Sequence, residues 1–146
     1  MTEREVAMSD APIDHVGLEV VPFAECLQLL GAVPVGRVGF VSDGEVNILP
    51  VNHAIDGQDV VFHVAYGSKL AAAAKQDSVA FEVDGYDPAA RTGWSVHVTG
   101  KAELVIETAE VAKLDALGLH PWATRVDKPY WIRIRPTSVT GRRIPA

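Results

Sequence analysis

Residues 46–69 read VNILPVNHAIDGQDVVFHVAYGSK, and this stretch decides the fold. Two runs of β-favouring residues, VNILPVNHA (46–54) and VVFHVA (60–65), flank the Gly-centred turn IDGQD (55–59), the pattern of an antiparallel hairpin. Pro50 interrupts the first run. Proline donates no ladder bond, so it belongs at a sheet edge or a bulge, where strands bend around sites. The second run stops at Tyr66-Gly67-Ser68-Lys69, and LAAAAKQ (70–76) follows as a helix by propensity.

The pattern continues on both sides. VGRVGFV (35–41) is a strand joined to the first run by the hairpin turn SDGE (42–45). PFAECLQLLGA (22–32) spaces Phe23, Cys26, Leu27 and Leu30 as a short amphipathic helix, with Pro22 in its first turn and Gly31 at its end. SVAFEVDGYD (78–87) puts Val79, Phe81 and Val83 on one face of a strand and runs into a loop, DGYDPAARTG. WSVHVTGKAELVI (94–106) is a long strand with a bend or bulge expected at Gly100. ETAEVAKLDALG (107–118) is a helix through Val111, Leu114 and Leu117, with Thr108 as N-cap and Gly118 as stop. YWIRIRP (130–136) alternates Ile132 and Ile134 against a wet face of Trp131, Arg133 and Arg135. Six strands and three short helices with tight connections predict a mainly β fold. The expected form is a small closed or partly split antiparallel barrel with peripheral helices. The absence of βαβ alternation excludes a doubly wound nucleotide fold.

A chain of 146 residues fits one domain, here 15–146, preceded by a flexible arm over 1–14. The opening residues lack the basic region and apolar core of a signal peptide, and no apolar run reaches the ~20 residues of a membrane span. A single cysteine, Cys26, excludes an internal disulfide and a Cys-rich metal knuckle, and a reducing cytoplasm is the expected compartment. Net charge −6 argues against a nucleic-acid partner. The charge is also uneven. Fourteen carboxylates precede residue 101 beside five cationic side chains, whereas Arg125, Lys128, Arg133, Arg135, Arg142 and Arg143 follow Leu119 with Asp127 alone. That basic tail reads either as a solvated strand edge or as a surface facing an anionic ligand.

Nucleophile-elbow, phosphate-loop and dinucleotide signatures are absent. The histidines at 15, 53, 63, 97 and 120 form no close ligand pair, and no metal is expected. His53, His63 and His97 do lie on predicted strands, where wall residues are commoner than ligands. Gly67-Ser68-Lys69 is chemically coherent as an anion site. A helix start leaves N–H groups unpaired, Ser68 caps it or donates to a phosphate oxygen, Gly67 allows close approach, and Lys69 adds a full charge. Ordinary helix capping explains the same residues. The three tryptophans, Trp94, Trp122 and Trp131, each read first as core or interface packing.

Taken in order, VGRVGFV, ILPVNHAIDG, VVFHVAYGSKL, VAFEVDGYD, TGWSVHVTGKAELV and WIRIRPTSVTGRRI resemble the pyridoxamine 5′-phosphate oxidase-like, FMN-binding split barrels over residues 23–143. The likeness is greatest to the small flavin-binding and nitroimidazole-resistance-like branch. The resemblance implies a six-stranded antiparallel split barrel of the FMN-binding type, a homodimer with two flavin sites at the subunit interface, and FMN-dependent oxidoreductase activity on a small molecule. It implies that Ile48, Pro50, Val51 and Asn52 line the isoalloxazine and that His63 and Val64 border it. Ser68 and Lys69 would bind the phosphate, and Trp94 and Ser95 would reach the flavin of the other subunit. The family's arginine at the start of the second strand is replaced by Val46-Asn47, so Arg37 or Arg133 would substitute. The tail lacks the arginine–histidine signature of pyridoxamine phosphate oxidases, which argues against a vitamin B6 substrate. Related barrels use the deazaflavin F420, whose anionic tail would suit the basic patch, or bind heme through a histidine. A non-catalytic flavin-binding sensor or store is the alternative to an enzyme.

Overall fold

The structure, a computed structural model, describes residues 12–74, 78–123 and 129–145. Residues 1–11, Lys75, Gln76, Arg125 and Lys128 lie outside the described residues. The elements run β1 (Glu19–Val21), α1 (Phe23–Ala32), β2 (Val35–Ser42), β3 (Glu45–Asp56), β4 (Asp59–Ala65), α2 (Lys69–Ala73), β5 (Ser78–Asp87), β6 (Thr92–Val105), α3 (Thr108–Asp115) and β7 (Pro129–Ile144). The strands pair antiparallel in the order β1-β7-β4-β3-β2-β5-β6, and β6 returns to β7. Strands β2–β7 thus form the expected six-stranded closed barrel, with β1 an additional strand along the end of β7. Among the described residues no helix is long and apolar enough to cross a membrane.

The turns are those the sequence dictates. Asp43 and Gly44 both adopt positive φ (52° and 76°), giving the two-residue β2–β3 hairpin a twist that matches its strands. Gly57 (φ 66°) turns β3 into β4. Inside the barrel, Val38 and Phe40 of β2, Val60 and Phe62 of β4, Val79, Phe81 and Val83 of β5, Val96 and Val98 of β6, and Ile132 and Ile134 of β7 form one core. Helix α1 adds Cys26 and Leu30, while Phe23, expected on its apolar face, is exposed.

Strand β7 departs most from expectation. It runs to Ile144 rather than ending at Pro136, and pairs with β6 along nearly its whole length. The register steps where Thr99 faces Ser138 but Gly100 faces Pro136, so the bulge foreseen at Gly100 is present, with Thr137 as the extra residue. A Cβ on Gly100 would overlap the Arg135 carbonyl. The supposed wet face of β7 is also corrected. Trp131 and Arg133 are buried, because α3 lies over them; Trp131, Leu114, Val61 and Val105 make a second small core outside the barrel. Helix α3 starts one residue earlier than foreseen: Glu107, not Thr108, is its N-cap and makes no side-chain cap bond. The loop expected from residue 84 shrinks to a turn, since β5 pairs with β6 as far as Asp87–Thr92. Residues 12–14, assigned to the flexible arm, are tied to the body: Asp14 accepts from the N–H of Val16 and Leu18 and pairs with Arg142.

At Gly100 the Arg135 backbone thus occupies the space that a side chain would need. Gly100→Ala is expected to cost at least ~1–3 kcal/mol, because the clash is with backbone that cannot swing away. Urea denaturation of the two proteins measures the difference.

Candidate functional site

The β3–β4 hairpin builds a cleft that gathers several of the expected site residues. Residues 53–56 of β3 pair with β4, but residues 45–52 pair only with β2, with Arg37 opposite Pro50. Pro50 therefore sits at a sheet edge, as its missing N–H requires, and the edge segment splays from β4. The gap is a cleft of about 390 Å³ lined by Pro50, Val51, Asn52, His63, Val64 and Ala65 on the strands, and closed by His120, Pro121, Ala123 and Pro129. This volume lies within the ~300–1,000 Å³ range of small-molecule sites. The opposite wall was not foreseen. Asn52 Oδ1 accepts from the Trp122 N–H at 2.8 Å, fastening the 120–123 loop across the cleft. No apolar period marks this loop, and only the four-residue cluster His-Pro-Trp-Ala could have drawn notice.

His63 and His120 are the titratable side chains of the described lining. Burial holds His63 below the usual imidazole range, against an opposing pull from the Asp115 charge. Its ring stacks on Trp131 with centroids 3.8 Å apart, and its Nδ1 is enclosed without a partner. His53 points elsewhere: Nε2 donates to the Leu30 carbonyl at 2.6 Å and its ring meets Phe81 edge-on, a wall residue of the core. His97 is exposed on β6. The three strand histidines do not converge, and the described residues contain no cluster of three His, Cys, Asp or Glu placed to hold a metal.

The other expected site residues fall into separate places. Ser68 and Lys69 follow directly on β4 beyond the cleft wall. Ser68 Oγ accepts from Ala71 N–H at 3.1 Å, which caps α2, and its own hydroxyl proton stays available. Gly67 (φ 75°) opens the turn to solvent, and Lys69 is exposed with no ion pair among the described residues. Ile48, 68% exposed, lies outside the cleft beside Gly39 and Ala80. Trp94 lies across Gly85 of β5, leaving no room there for a side chain. With Ser95 it borders a groove containing Tyr86 and Arg142. One chain brings Pro50, Val51, Asn52, His63 and Val64 together; it does not bring Ile48, Trp94 or Ser95 to them.

Among the described residues, no arginine lines this cleft. Arg133, 4% exposed, is held by Asp56 and Asp59 at 2.9 and 2.7 Å, with Glu110 at 3.4 Å. Arg135 pairs with Glu103 and Asp59, Arg142 with Asp14, and Arg143 with Glu25 and Glu19. The described part of the basic tail is thus neither a bare solvated edge nor a free anion surface: it neutralises carboxylates of its own chain. Arg37 is likewise taken by Glu82 and Asp84 at 3.4 and 3.3 Å. Arg37 and Arg133, the expected substitutes for the arginine missing at Val46-Asn47, are thus both paired with carboxylates of their own chain.

Comparison with known proteins agrees with this architecture. Residues 23–143 match the family model described as pyridoxamine 5′-phosphate oxidase. The FAD-binding protein from Mycobacterium smegmatis is 37% identical and superposes with a TM-score of 0.74 over 86% of this chain and 98% of its own. A candidate pyridoxamine 5′-phosphate oxidase from Corynebacterium glutamicum is 30% identical, with a TM-score of 0.74 over 91% and 97% of the two chains. An uncharacterized Mycobacterium tuberculosis protein, Rv0080, is 38% identical over 84% of this chain and 82% of its own. The fold is that of the split barrels, and the chain belongs to the pyridoxamine 5′-phosphate oxidase family.

Beside Ile48, Glu82 carries a pH signature. Burial, then the hydrogen bond and charge of Asp84, push its carboxyl up to about 7 against the pull of Arg37; His97 is its register partner on β6. Between the ordinary value of 4.5 and about 7, the folded chain keeps a proton that the unfolded chain has released. Stability therefore falls as pH rises through that window, and the penalty is complete above it. Glu82→Gln is expected to match wild type below pH 4.5 and to melt at a higher temperature above pH 7, as thermal melts across pH will test.

Proposed function

We propose that this chain is a flavin-binding oxidoreductase acting on a small molecule, with FMN as cofactor and paired sites completed between two copies in a reducing cytoplasm. The observation that carries it is the cleft between the β3 edge and β4, whose wall strand β4 ends at Ala65, three residues before Ser68. The donor set fits a flavin. Apolar side chains and proline offer faces to a tricyclic ring, and the unpaired edge of residues 45–52 offers backbone groups to its polar rim. His63 adds an imidazole on the cleft wall, and Lys69 an uncommitted charge for phosphate. The Mycobacterium smegmatis relative, described as binding FAD, supports a flavin as the class of ligand.

A bound flavin supplies the hydride or electron chemistry through its ring; the protein's part is to bind, orient and exclude water. Pro50–Asn52 and His63–Val64 hold the ring, Ser68 donates its hydroxyl to phosphate while its oxygen caps α2, and Lys69 neutralises charge. No side chain is assigned as an acid or base. F420, whose anionic tail would have to displace the carboxylates paired with Arg135, Arg142 and Arg143, is the alternative cofactor.

The dimer rests on exposed apolar surface. Val41, Val46, Ile48 and Leu49 project from the β2–β3 hairpin beside an unpaired strand edge, and Val46 is 78% exposed. A second copy covering this face would bring its Trp94 and Ser95 toward the first copy's cleft. Ile48→Glu is expected to yield a monomer by analytical ultracentrifugation and to lose FMN affinity with it. A variant that remains dimeric refutes this interface.

Visible spectra and fluorescence titrations with FMN, FAD, F420 and riboflavin test the cofactor. FMN bands and quenching are expected, and their absence refutes the reading. Lys69→Ala is expected to weaken FMN by ~1.5–3 kcal/mol, a factor of ~10–150, and to leave riboflavin nearly unaffected. Equal losses for both ligands would place Lys69 in the fold instead. Reduction of bound flavin by NADH or NADPH, with turnover on a quinone or nitro compound, marks an enzyme; a flavin that no donor reduces marks a store or sensor.

A further inference from the structure

The wall behind His63 is more elaborate than packing requires. Trp131, 3% exposed, donates its indole N–H to Asp115 Oδ1 at 2.8 Å. Its ring lies under His63 at a centroid distance of 3.8 Å and a tilt of 39°. Asp115 closes α3, and its neighbour Leu114 is fully buried against Val61, Val105 and Trp131. The helix is therefore fixed to the barrel, Asp115 fixes the indole, and the indole fixes the imidazole at the cleft.

We propose that His63 stands in the cleft as a neutral imidazole protonated on Nε2, offering one donor to an acceptor atom of the bound ligand, and that Asp115 is the positioning residue holding it there through Trp131. Nδ1 is enclosed with no partner, which leaves Nε2 as the nitrogen able to meet a ligand. An enclosed lone pair is tolerated better than an enclosed orphan N–H. Stacking at 39° also does not aim an N–H into the indole face. An imidazolium would place such an orphan donor at Nδ1, so the neutral ring is favoured. Its other neighbours are His120 on the opposite wall and the Asn52 amide, which is already engaged with Trp122 and Pro34. The ligand class that follows is a planar ring with a carbonyl oxygen or unprotonated ring nitrogen opposite His63. Its identity as a flavin rests on the reading above; the tautomer does not.

The experiment is ¹⁵N NMR of the histidine rings in ligand-free protein, with FMN titrations alongside. Wild type is expected to show the Nε2–H tautomer of His63 at pH 7.5. Asp115→Ala and Trp131→Phe are expected to mix the tautomers and weaken FMN several-fold. Asp115→Asn, whose amide oxygen still accepts the indole bond, restores the tautomer and the affinity lost in Asp115→Ala. It also lowers the pH at which His63 titrates, because the carboxylate charge is gone. An Nδ1–H tautomer or an imidazolium in wild type overturns the proposal, as does an Asp115→Ala protein with unchanged tautomer. Failure of wild type to bind FMN would refute the flavin reading while the tautomer arms still decide this one.

Discussion

Strand β7 is paired along β6 at thirteen positions, along β4 at six and along β1 at three, and the other features of the chain are placed by that pairing. Without it β2–β6 would be an open sheet with one apolar face. With it, Ile132 and Ile134 complete a core whose other members come from β1, β2, β4, β5 and β6 and from α1 and α2. The same strand carries Trp131 and Arg133 on its outer side, so closing the barrel also fixes the platform on which α3 lies. The bulge at Thr137 lets one continuous strand serve both halves of the ladder.

Charge placement follows from this closure. The early part of the sequence is acidic and its end is basic, and β7 returns the basic end among the acidic segments: Arg133 between Asp56 and Asp59, Arg142 at Asp14, Arg143 at Glu25. Exposed pairs of this kind contribute little individually, ~0–1 kcal/mol. Arg133 differs because it is buried, and a buried charge deprived of its partners costs ~3–5 kcal/mol. It ties the β3–β4 turn to α3, and thereby holds the hairpin that forms the cleft.

Much of the fold was legible in the sequence. Two-residue alternation in VAFEV and WSVHV, the Asp-Gly turn and the isolated Gly100 each have a local physical cause, and each appears where expected. The second half of β7 was not legible, because PTSVTGRRI has almost no apolar alternation; it is a strand on account of its partners. The burial of Arg133 and Trp131 was hidden for a related reason. Their alternation signals a solvated face, and only the distant α3 covers it. For the site, the contiguous pieces PVN and HV were legible and converge. The His120–Ala123 wall was not, since what makes it a wall is a side-chain bond from Asn52, seventy residues earlier.

The division of the site residues has a physical logic. Residues on the β3–β4 hairpin share one end of the barrel and meet in one cleft. Trp94 and Ser95 open β6, facing Gly85 and Asp84 of β5, on a different stretch of the surface. A single barrel cannot bend these edges together without breaking the β5–β6 ladder that runs through both residues. If both sets serve one ligand, they must come from two chains. The exposed valines and Ile48 of the β2–β3 hairpin, poor candidates for solvent, provide the kind of surface on which a second chain would sit. The proposed cofactor site and the proposed dimer are thus one hypothesis: a ligand requiring both edges requires the partner, and a monomer would retain only the His63 side of the site.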